Sequence, residues 1–104
     1  MQPRKRLRVI TLGRARFKIR RVKSAQKYAE RYCPEQACHK DGIHGYVDFT
    51  RKEIVVEISD PYTEASVLLG EMFHVLFPFV EDYHIHQAEE QVIDTLWRSG
   101  FRPF

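Results

Sequence analysis

The residues best suited to chemistry are Glu71 and His74, in the run Gly70-Glu71-Met72-Phe73-His74. On the helix of a zinc peptidase, two histidines at i and i+4 share a face and grip the metal. The glutamate after the first histidine takes the proton of the metal-bound water. Here the first of those positions is Gly70, which offers no ligand. His84 and His86 follow, and with His74 they are the candidates for the three protein ligands a catalytic zinc requires. Two steps along a helix turn the chain by about 200°, so His84 and His86 converge only if their helix starts after them. The expectation is no bound cofactor, with a zinc at His74, His84 and His86 and Glu71 as its base as the alternative.

A second group is Cys33, Cys38, His39 and His44, whose residue types suit a soft metal. It lacks a second close Cys or His pair, so free, reduced cysteines are expected, with a structural metal as the alternative. No serine sits in a nucleophile elbow and no glycine-rich phosphate loop is present.

Charge is distributed unevenly. Residues 1–27 carry eleven Lys or Arg and no acid, whereas the remaining 77 residues hold six bases and all 14 acids. Such a basic end favours nucleic acid or an acidic protein surface as a partner, or else pairs with the acidic half of its own chain. Alternation in a strand puts Arg4, Arg6 and Arg8 on one face of the first basic run, and Arg16, Lys18 and Arg20 on one face of the second. Pairing Val9 with Phe17 and Leu7 with Ile19, around an odd-length loop at Gly13, would set Arg8 opposite Lys18 and Arg6 opposite Arg20. These six cations are the candidate partner-binding residues.

The elements that must position these groups read as ββαββαα. Residues 6–12 and 15–22 form a hairpin, giving a strongly basic segment at about 4–22. Ser24 caps a short helix carrying Ala25, Tyr28, Ala29 and Tyr32 on one face, and residues 33–45 read as a loop. Residues 46–49 and 54–58 make a second hairpin. Asp60-Pro61 opens a helix that ends near Phe77, before Pro78. Asp82 can cap a last helix stopped at Gly100, with Phe101 folding back and Phe104 the most exposed aromatic of the C-terminus. The fold class is α+β: a small antiparallel sheet of two hairpins packed by helices, in one domain over 1–104. No apolar run approaches a membrane span and no secretory signal precedes the first strand, so a cytoplasmic protein with no membrane partner is expected.

The stretches Tyr46-Val47-Asp48-Phe49, Ile54-Val55-Val56 and Leu68-Leu69-Gly70-Glu71-Met72-Phe73-His74 resemble a family of small phage and mobile-element zincin-like proteins, similar to the immunity-repressor-cleaving metallopeptidases. The resemblance covers roughly residues 44–102 and departs from the family pattern at Gly70, where a histidine belongs. It implies a zincin-like domain, carries over only Glu71 and His74, and places a third ligand among Asp82, His84, His86, Glu89 and Glu90. With the first ligand missing, the expected function is that of a catalytically inactive zincin-fold binding protein of phage type. It would modulate or inhibit host nucleic-acid-handling or defence machinery, such as an RNA polymerase or a CRISPR effector. Its partner would be a host protein or protein–nucleic acid complex with an acidic surface. The alternatives are a zinc metallopeptidase with a relocated ligand and a simple nucleic-acid-binding module.

Overall fold

The computed structural model describes residues 6–38 and 42–104. Arg4, His39 and the Cys38 side chain lie outside the described residues. The order is β1 (Val9–Leu12), β2 (Ala15–Val22), α1 (Ala25–Tyr32), a 3-10 turn at Pro34–Cys38, β3 (Gly45–Asp48), β4 (Glu53–Glu57), α2 (Pro61–Leu76) and α3 (Asp82–Arg98). The expected ββαββαα order stands, and the class is α+β.

The expectation of a purely antiparallel sheet is corrected. The four strands lie in the order β1-β2-β4-β3, and β2 and β4 run parallel. The sequence of β4 explains its central place: Ile54, Val55 and Val56 are all fully buried, an apolar run that fills both faces of a covered strand. One face of the sheet packs Phe17, Ile54 and Val56 against Leu68 of α2. The other packs Tyr46 and Val55 against Ala25 and Ala29 of α1. The crossover that a parallel pair needs is supplied by α1, whose N-cap Ser24 accepts the Lys27 N–H at 3.2 Å.

The first hairpin also differs in register. Its turn has two residues, Gly13 and Arg14, with Gly13 at φ +63°, the arrangement whose twist suits paired strands. Ile10 therefore faces Phe17, Val9 faces Lys18 and Thr11 faces Arg16, a slip of one from the Val9–Phe17 pairing. Burial decides it, because Ile10 and Leu12 join Phe17 and Ile19 in the core. Leu7 joins them too, since the chain before Val9 leaves the strand and the Leu7 N–H donates to the Pro103 carbonyl at 2.7 Å.

Asp60 caps α2 through Thr63, and Pro61 stands in its first turn. Ala65 and Leu69 of α2 pack on Ile93 of α3, with Trp97 and Phe101 around them. The Phe101 N–H donates to the Leu96 carbonyl at 2.9 Å, fixing the return after Gly100. Phe104 is half-buried rather than exposed, its ring lying under the Arg21 guanidinium at 5.0 Å. Arg21 Nε and Nη2 donate to Glu64, which is 1% exposed, at 3.0 and 2.7 Å. No helix among the described residues is long and apolar enough to cross a membrane.

Candidate functional site

A cleft of about 600 Å³ opens between β3, α2 and α3. From α2 it receives Gly70, Glu71 and His74, and from α3 Asp82, His86 and Glu89. The α3 spacing of four and then three residues puts those side chains on one helix face. Gly45 lets β3 close the cleft tightly: a Cβ there would lie 2.5 Å from Val67 Cγ1 and 2.9 Å from the Val55 carbonyl.

The floor of the cleft is acidic. Glu89 is 8% exposed and accepts from the Ser66 hydroxyl at 3.0 Å. Its Oε1 stands 3.1 Å from where a Cβ on Gly70 would be. Burial, followed by the negative charges of Glu89 and Asp82, pushes the Glu71 carboxyl up to about 8. At neutral pH Glu71 is therefore mostly a neutral acid. His74 Nδ1 lies 3.7 Å from Asp82, and His86 Nδ1 lies 3.5 Å from Glu89.

The expected ligand set does not assemble. His74 and His86 both line the cleft, but His84 is exposed on α3, its ring edge-on to Tyr83 at 5.5 Å. Among the described residues, no three His, Cys, Asp or Glu side chains gather closely enough to hold a metal ion. The residues present thus do not fit the three-ligand site that the resemblance implies. Ser66 was missed from the sequence, although its position one helical turn before Gly70 could have marked it.

The second candidate group divides likewise. The buried Cys33 thiol donates to Glu35 Oε1 at 3.1 Å, and burial raises it to about 12, so it is not a reactive thiolate. His44 instead meets Glu57 at 2.9 Å.

The basic residues fall on more than one surface. Arg16, Lys18 and Arg20 alternate along the α1-facing side of β2 and are exposed, as expected. Arg8 is not opposite Lys18: its carbonyl accepts from the Ile19 N–H at 2.8 Å, and Arg6 precedes the strand. Arg6, Arg8, Lys18, Arg20 and Arg21 nevertheless line one open groove of about 540 Å³ where the chain before Val9 diverges from β2. Arg20 is held in place by Glu53, 3% exposed, through Nε at 3.2 Å and Nη2 at 3.1 Å. That hydrogen bond raises the Arg20 guanidinium further above its already high ordinary value.

No protein family, curated protein or solved structure matches the chain. The cleft and the basic surface must therefore be read from their own chemistry.

Proposed function

We propose that this chain is a binding protein on a zincin-like scaffold that no longer cuts, and that it engages its partner through the basic surface of β2. The observation that carries the reading is at Gly70: the space into which a first metal ligand would project is taken by the Glu89 carboxylate, 3.1 Å from the Cβ position. A catalytic zinc requires three ligands and an open position, and among the described residues this cleft offers His74 without a convergent set. The partner is a host assembly with an acidic face, from nucleic-acid-handling or defence machinery, met in the host cytoplasm.

A metallopeptidase with a relocated ligand is the second reading, favoured by His74, His86 and Glu89 lining one cleft. Elution from immobilised heparin, a generic polyanion, separates the two surfaces. Glu71→Gln should elute at the wild-type salt concentration, and Arg16→Gln with Lys18→Gln earlier. Equal elution of all three proteins would refute the role given to β2.

A further inference from the structure

We infer that the basic surface continues from β2 across the β3–β4 turn to the end of α1, and that its ligand is the phosphodiester backbone of a nucleic-acid duplex. The inference rests on the binding-protein reading above and names the partner's class. Arg20 and Arg51 are joined through Glu53, whose Oε2 lies 3.1 Å from Arg20 and 3.9 Å from Arg51. Arg51 and Arg31 are joined through Tyr32, their guanidinium carbons 4.6 and 5.1 Å from its ring centroid. Arg16, Lys18, Arg20, Arg31 and Arg51 are all exposed, so three elements distant in sequence present one cationic surface. Among the described residues, the carboxylate these five cations touch is Glu53, and it is buried beneath them.

The arrangement favours a polynucleotide over an acidic protein. Alternate strand residues place Arg16, Lys18 and Arg20 in a straight row at steps of about 7 Å. A regular row of charges meets a regular row of phosphates, whereas acidic side chains on a folded protein keep no fixed pitch. Stacking on Tyr32 and bonding to Glu53 fix the guanidinium planes of Arg31, Arg51 and Arg20. A fixed guanidinium fork suits phosphate oxygens and loses little freedom on binding. The choice of duplex over single strand follows from the aromatic groups. Tyr32 is 40% exposed, but its ring is tilted against Tyr28 at 4.6 Å and carries two arginines at 4.6 and 5.1 Å, so a base would have to compete with guanidinium groups to stack on it. Contact is then with the backbone and indifferent to sequence.

Fluorescence anisotropy with a short labelled DNA duplex of arbitrary sequence tests this, with polyglutamate as the competing polyanion and salt varied. The wild type should bind the duplex with a log–log salt slope of about −3 to −5, as three to five phosphate contacts require. Arg31→Gln with Arg51→Gln should weaken binding at least tenfold at physiological salt and reduce the slope by about 2. Arg31→Gln alone, at an exposed position without an ion pair among the described residues, should reduce it by about 1 and serves if the double variant melts early. Tight binding of polyglutamate with none to the duplex overturns this inference and leaves the binding-protein reading standing. Binding to neither polyanion sinks both. Duplex binding with an unchanged slope in the arginine variants removes α1 and the β3–β4 turn from the contact.

Discussion

Glu89 Oε1 stands 3.1 Å from the position of a Gly70 Cβ, so a residue on α3 occupies the space that a side chain on α2 would need. The two positions are therefore coupled, and the coupling is measurable. A glycine within a helix costs about 1 kcal/mol relative to alanine. Gly70→Ala should gain less than that in the wild type, because Glu89 must shift and strain its bond to Ser66. In a Glu89→Ala background the gain should approach the full ~1 kcal/mol. Equal gains in the two backgrounds, from urea unfolding curves, would show that the carboxylate yields freely. The same contact means that Gly70→His is not a free substitution but one that displaces Glu89.

Glu71 makes the stability of the protein fall with pH. In the unfolded chain its carboxyl loses its proton near 4.5, whereas in the folded protein it keeps it to about 8. Over that window the folded state binds more protons, so rising pH favours unfolding. Glu71→Gln, which stays neutral, should remove this contribution. The variant should match the wild type near pH 4 and exceed it by more than about 1 kcal/mol at pH 9. A constant difference between the two proteins across the window would contradict the raised carboxyl.

The Arg21–Glu64 pair should be costly to break from one side. Glu64 is almost wholly enclosed and also accepts the Ser59 N–H at 2.9 Å. Arg21→Met leaves that charge without its cation and should destabilise by roughly 3 kcal/mol. By contrast, Arg16→Gln with Lys18→Gln should leave thermal unfolding within a few degrees of wild type, since neither side chain has an ion pair among the described residues. Lys18→Glu and Arg20→Glu belong with Arg21→Met rather than with these, because each sets a second carboxylate against the buried Glu53. If Arg21→Met melts with the wild type, the pair is solvated in solution.

Much of this arrangement was legible in the residues. Ser24, Asp60-Pro61, Pro78 and Gly100 mark helix boundaries by local chemistry, and the helices begin and end beside them. What failed was non-local. The parallel β2–β4 pair depends on which strand of the second hairpin lies inward, and only the two-faced burial of Ile54 to Val56 decides it. The hairpin register turned on one residue, since Val9 and Ile10 are adjacent apolar candidates and the even turn at Gly13-Arg14 selects the second. In the cleft, the spacing of Glu71 and His74 was readable, as was the absence of a ligand at Gly70. The partner that fills the gap, Glu89, lies 19 positions away on another helix, beyond the reach of local pattern. Arg31 and Arg51 joined the basic surface for the same reason, through Tyr32 and Glu53.

The most direct test of the central claim is equilibrium dialysis of the full chain against zinc at neutral pH, with bound metal counted per chain. A retired cleft predicts well under one zinc per chain, and the same value for wild type and His74→Ala. One tightly held zinc per chain, lost in His74→Ala, would contradict the account and restore the metallopeptidase reading.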